Sequence, residues 1–229
     1  MKEHIYSIPL TEALRQKDGC ILCTLEKDLE RQATTYFLGP SMMEPDSRQI
    51  TNEKGFCHNH MKMLFDGNNR LSLALMLETH IKELQNETEI KKPSGFLSKG
   101  SVAALTGEYL HKKAASCALC DKLNSQMSAA AGNLAYLWGK DEDFCQMFND
   151  APPLCLRHTA LAVTCSEKEL HGKQKDDYIS RLLQMQKDAL GALYEDLHAF
   201  TLSFDYRNAG KELSKSEKES VNSAINHLR

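Results

Sequence analysis

A chain of 229 residues, 41% hydrophobic and 26% charged, has the composition of an ordinary soluble globular protein and enough length to bury a real core, as one large domain or two small ones. Its formal net charge of −3 weighs against a nucleic-acid binder, which would carry a concentrated basic face. Neither the first ten residues nor any later segment has the apolar run of a signal peptide or a membrane span, so a cytoplasmic protein with no membrane contact is expected.

In chain order, a first helix is expected over residues 5–17, with Thr11 as its N-cap and Glu12, Ala13 and Leu14 behind it. Asp18-Gly19 is a turn signal, and Cys20-Ile21-Leu22-Cys23 follows it directly. The helix that opens there places Leu22, Leu25, Leu29 and Tyr36 or Phe37 on one stripe, and Gly39-Pro40 stops it. Two cysteines spaced i, i+3 at a helix N-terminus put both sulfurs on one face. The free backbone N–H groups and the helix dipole there favour thiolate over thiol. Residues 41–56 read as a polar, broken stretch ending on Gly55, whose turn would swing Cys57-His58-Asn59-His60 back to the first thiol pair. Asn68 or Asn69 then caps an apolar helix that offers Leu71, Leu75, Leu77, Ile81 and Leu84 to a core.

Residues 86–100 have linker composition. Ser101 starts a further helix with Val102, Leu105 and Tyr109 inward, leading to Cys117-Ala118-Leu119-Cys120. After residues 121–154 comes Cys155-Leu156-Arg157-His158. A long helix over residues 178–204 follows, with Ile179, Leu182, Leu183, Leu190, Leu193, Leu197, Phe200 and Phe204 as its stripe. The tail carries a capping-box pattern, Ser216 to Glu219, ahead of Val221 and Ile225. No strand is convincing anywhere, and the expected class is all-α.

The cysteine pattern occurs twice, and each copy offers three thiols and one imidazole, the ligand set of a closed tetrahedral zinc site. Eight cysteines in a reducing compartment point to metal or redox chemistry rather than to disulfides. The expectation is an internal duplication: two related helical modules, residues 1–90 and 91–229, packed as one compact unit. Each would close its own site, Cys20, Cys23, Cys57 and His60 in the first and Cys117, Cys120, Cys155 and His158 in the second. Two zinc ions are expected, with an iron–sulfur cluster as the alternative, since thiolates with a histidine can also hold one. Four strong ligands fill the tetrahedron and leave no open position, so the metal reads as structural rather than catalytic.

Outside the repeat, Glu44, Asp46 and Arg48 could line a substrate pocket, but helix capping and surface pairing explain them more simply. Asn69-Arg70 reads the same way. His80 reads as a satisfied, partly buried histidine, and His58 is a poorer ligand than His60 because Leu156 stands at its place in the second copy. Cys145 and Cys165 read as small buried hydrophobes, and Trp138, Phe144 and Phe148 as anchors of the core.

Several strings carry a family resemblance across nearly the whole chain: Ile8-Pro9-Leu10, Ser41 to Arg48, Thr51 to Cys57, Asn69 to Leu75, and Phe204 to Asn208. They are similar to those of an uncharacterised, domain-of-unknown-function family from anaerobic Gram-positive bacteria. The resemblance implies no activity and transfers no catalytic residue. Pro153-Leu154 stands where the first copy has Gly55-Phe56, a departure within the chain's own pattern. The functional expectation is therefore a binding or scaffold protein for an unidentified protein or small-molecule partner. A thiol-redox or iron–sulfur protein is the alternative, and a nucleic-acid-binding zinc module a second one.

Overall fold

Helices form wherever the apolar spacing predicts them, and no strand occurs among the residues that the computed structural model describes: 8–16, 19–89, 91, 101–208 and 212–229. The chain divides into two compact units, Met1–Lys27 with Gln126–Arg229, and Asp28–Ser125. This is not the division into residues 1–90 and 91–229 expected from the repeat. Both boundaries fall inside helices, each of which begins with a thiol pair.

The first unit contains α1 (Ile8–Gln16), the opening turns of α2 (Ile21–Leu38), the later part of α7 (Ala118–Lys140), then α8 (Glu142–Asn149), α9 (Leu156–Glu169), α10 (Gly172–Leu202) and α11 (Lys215–Leu228). Its core gathers Leu10, Leu14, Ile21, Leu22, Leu134, Phe144, Phe148 and Tyr178. Helix α10 packs against α9 and α11. The buried Gln186 of α10 joins them: its amide nitrogen donates to the Leu154 carbonyl and to Thr159 Oγ1, and its amide oxygen lies 3.0 Å from His227 Nε2 of α11.

The second unit contains the rest of α2, a short 3-10 turn (Pro40–Met43), α3 (Pro45–Lys54), α4 (His58–Asp66), α5 (Arg70–Glu87), α6 (Val102–Ala115) and the opening turns of α7. Ala33, Phe37, Phe56, Leu64, Leu73 and Met76 form its core, with Phe37 and Phe56 edge to face at 5.4 Å. The stretch expected to be broken is mostly helix. Pro45 is preorganised for the first turn of α3, and packing against α5 supplies what the polar composition does not. The same contact sets the register of α5. Leu73, Met76 and His80 are buried, whereas Leu71 and Ile81, expected inside, are 69% and 61% exposed.

Several ends and faces also differ from expectation. Thr11 lies within α1 rather than at its cap, and is buried. Helix α6 starts at its Ser101 cap as expected, the side chain accepting from Ala104 N, but buries none of its residues. Helix α10 starts at Gly172 rather than 178, with Leu183 and Leu190 exposed. The capping box of α11 is Ser214 with Glu217, two residues ahead of the pattern at Ser216, and α11 turns Ser220 and Ala224 inward while Val221 and Ile225 face solvent. No helix among the described residues is long and apolar enough to cross a membrane.

Candidate metal centres

All eight motif residues come together in two groups of four, with partners exchanged relative to the local pairing expected from the sequence. Cys20 and Cys23 meet Cys155 and His158 within the first unit. Cys117 and Cys120 meet Cys57 and His60 within the second. The chain does return along α2, but only to its middle: His60 meets Glu30, seven positions beyond Cys23 and about 10 Å further along the helix at 1.5 Å per residue. The Cys57-His60 pair therefore stops short of the first thiol pair.

Each ligand pair stands at a helix start. Cys20 and Cys117 directly precede α2 and α7. Cys57 and Cys155 are the N-cap residues of α4 and α9, with nearly identical backbones at φ −69°, ψ 163° and φ −67°, ψ 163°. Neither sulfur caps its own helix, so both are free to point into a cluster. Ahead of Cys57, Gly55 takes φ +59°, packs against the His80 ring, and accepts a backbone hydrogen bond from Ala118 N at 2.9 Å. That bond docks the second thiol pair beside Cys57. Phe56 and Leu154, the residues just before the two caps, are both buried, so Pro153-Leu154 does the packing of Gly55-Phe56 with a different backbone.

The geometry within each group is that of four ligands around one point. His158 Nδ1 lies 3.4, 3.3 and 3.4 Å from the sulfurs of Cys20, Cys23 and Cys155, and Cys23 Sγ lies 3.6 Å from Cys155 Sγ. His60 Nδ1 lies 3.3 Å from each sulfur of Cys57, Cys117 and Cys120, and Cys57 Sγ lies 3.8 Å from Cys120 Sγ. Regular tetrahedra with the usual zinc–sulfur and zinc–nitrogen lengths would place sulfurs about 3.8 Å apart and sulfur about 3.6 Å from nitrogen.

The outer residues fit the same chemistry. With Nδ1 turned inward, His60 presents Nε2 to the Glu30 carboxylate at 3.0 Å. His158 Nε2 lies 3.2 Å from the Arg157 guanidinium and 3.6 Å from Glu26, which pairs with Arg157, so a carboxylate stands directly behind the imidazole only at His60. A carboxylate behind a ligating imidazole fixes its tautomer and raises its basicity. Arg229 adds its guanidinium against the sulfurs of Cys23 and Cys155, which raise its pKa. Neither glutamate nor Arg229 was singled out in the sequence. Glu26 follows Cys23 by three positions and so shares its helix face, a signal that was available; Glu30 and Arg229 gave none.

Packed this closely, the thiols cannot all ionise on their own. Hydrogen bonding with Cys155 and Cys23 drives the Cys20 thiol far up, and the same contact with Cys20 holds Cys155 far down. Burial, with Cys117 beside it, pushes the Cys120 thiol up. Burial works against a charged His158, but Cys155 and Cys23 outweigh it and lift the imidazole to about 9. A central dication would remove the repulsion and favour every deprotonated ligand at once.

The remaining candidates lie apart from these groups. Glu44 and Asp46 are exposed at the start of α3, while Arg48 donates to the Leu75 carbonyl at 3.0 Å and to Thr79 Oγ1 at 2.7 Å, clasping α3 to α5. Asn69 caps α5 by accepting from Ser72 N. His80 is buried with Nδ1 2.7 Å from the Asn52 carbonyl, and His58 is exposed. Phe144 and Phe148 are fully buried, and Trp138 packs on Tyr178 at 5.1 Å. Cys145 and Cys165 are half-buried rather than buried.

An all-helical chain with two clusters of three cysteines and one histidine that could each hold a metal ion is what the fold and geometry define. The chain belongs to a family of unknown function (DUF6062), whose model matches residues 1–229. No curated protein and no solved structure matches it.

Proposed function

We propose that each cluster holds one structural Zn²⁺, and that the protein works as a binding or scaffold protein for a protein or small-molecule partner. The observation that carries the metal reading is the near-tetrahedral spacing of four ligand atoms, all within 4.8 Å of one another in each group. That space suits a single ion, whereas an iron–sulfur cluster distributes its ligands over several irons and spreads them wider. Three thiolates and an imidazole suit zinc in softness and in number, and they leave no position open for a substrate. One open depression of about 440 Å³, bordered by Thr34, Thr35, Leu38, Asp66 and Asn68, touches neither cluster.

All eight cysteines are free, which suits a reducing cytoplasm. The matching element grammar of the two halves, thiol pair, long helix, capping cysteine, supports an internal duplication whose modules exchanged their Cys-His pairs. The net charge of −3 argues for a partner other than nucleic acid.

Elemental analysis of protein purified without oxygen, with its absorption spectrum, tests the metal reading. Two equivalents of zinc and no visible colour are expected. Iron with sulfide and a brown chromophore would overturn it and turn attention to redox chemistry.

A further inference from the structure

The two clusters have the same ligands but not the same surroundings. In the first, Cys23 is 9% exposed, Cys155 and His158 each 1%, and only Cys20 is half-buried. Arg229 lies against Cys23 and Cys155, and its backbone carbonyl accepts from Arg157 N at 3.2 Å, so the end of α11 covers that side. In the second, Cys57 and Cys120 are both half-buried, and they are the sulfurs 3.8 Å apart. Cys117 sits behind them at 2% exposed, its sulfur accepting from the Cys120 backbone N–H at 3.3 Å. In the second cluster both sulfurs of the contacting pair are half-buried, whereas in the first the half-buried Cys20 has only the 9% exposed Cys23 and the buried Cys155 to pair with.

We propose that the second cluster is a thiol switch: a peroxide oxidises Cys57 and Cys120 to a disulfide and releases the zinc ion, while the first cluster keeps its own. The proposal rests on the zinc reading above. The chemistry balances with hydrogen peroxide as oxidant. One thiolate attacks a peroxide oxygen, the O–O bond breaks, and hydroxide leaves a sulfenic acid. The second thiolate attacks that sulfur, the S–S bond forms, and a second hydroxide leaves. Two protons from solvent convert the two hydroxides to water, and the two electrons come from the two sulfurs. Closing from 3.8 Å to the roughly 2.05 Å of a disulfide asks for a shift of less than about 2 Å. With two ligands gone, Cys117 and His60 alone hold zinc weakly.

The test uses the full chain. Zinc content is measured first, so that a chain without zinc overturns the metal reading before the switch is addressed. Protein carrying two equivalents is then titrated with hydrogen peroxide beside a chromogenic zinc chelator, quenched with an alkylating reagent and mapped by mass spectrometry. One equivalent is expected to leave at least 10-fold faster than the other. The first disulfide should be Cys57–Cys120, with Cys20, Cys23 and Cys155 still reduced, and a thiol reductant with added zinc should restore the starting state. Release of both ions at one rate, or a first disulfide containing Cys20, Cys23, Cys117 or Cys155, would overturn the proposal.

Discussion

Nδ1 of His60 faces three sulfurs while Nε2 meets Glu30, and this arrangement makes the outer carboxylate measurable. Glu30→Gln should weaken metal binding at the second cluster by about 10- to 100-fold, read by competition with a chelator of known affinity. Glu26→Gln should do less at the first, because Glu26 stands further from its imidazole and is shared with Arg157. An equal effect at both would show that the difference in distance does not matter. Glycines give a second contrast. Gly55 and Gly19 both have positive φ, but a side chain at Gly55 would overlap the His80 ring, whereas Gly19 faces open space. Gly55→Ala should cost roughly 2–5 kcal/mol, from backbone strain and overpacking together, and Gly19→Ala about 1–2 kcal/mol, both by denaturant unfolding.

At the scale of elements, α11 buries Ser220 and Ala224, and beside them the half-buried His227 titrates. Burial depresses the pKa of His227, whose Nε2–H donates to the Gln186 amide oxygen. Its neutral form is the one that fits, so stability is complete above the ordinary histidine value of about 6.5. It declines as pH falls below that value toward the lower folded pKa, because the unfolded chain there binds the extra proton. Hydrogen exchange in α11 should accelerate over that window, and His227→Gln should flatten the dependence; an unchanged profile in the variant would place the titrating group elsewhere. Gln186→Leu should cost about 1–3 kcal/mol, since it strands the buried Leu154 carbonyl and Thr159 hydroxyl.

For the molecule as a whole, the exchange of partners has a direct signature in metal content. Cys23→Ser with Cys155→Ser should remove one equivalent of zinc, and Cys23→Ser with Cys57→Ser should remove two. Local pairing demands the reverse. Chelation of both ions should destabilise the fold heavily, since structural zinc contributes on the order of 10 kcal/mol, and the loss should appear in thermal unfolding. Much of this organisation was legible beforehand. The eight cluster residues follow from spacing alone, because two side chains three positions apart at a helix start must share a face. The all-α class, the start of α2 and its stop at Gly39-Pro40, and the caps Asn69 and Ser101 rest on local chemistry that no tertiary contact overrides. Helix α3 was not legible, because its polar residues become helical through contact with α5. Nor were the buried faces of α5 and α11, since an apolar residue on a helix has two sides to choose from until its neighbour is in place.

By itself, then, the order of residues determined which side chains could bind metal and which segments are helical, both consequences of interactions within about four positions along the chain. Only the tertiary structure decided which thiol pair meets which Cys-His pair. Motif spacing is blind to the route between motifs, and here that route brings His60 back against Glu30 in the middle of α2 rather than to Cys20 and Cys23 at its start.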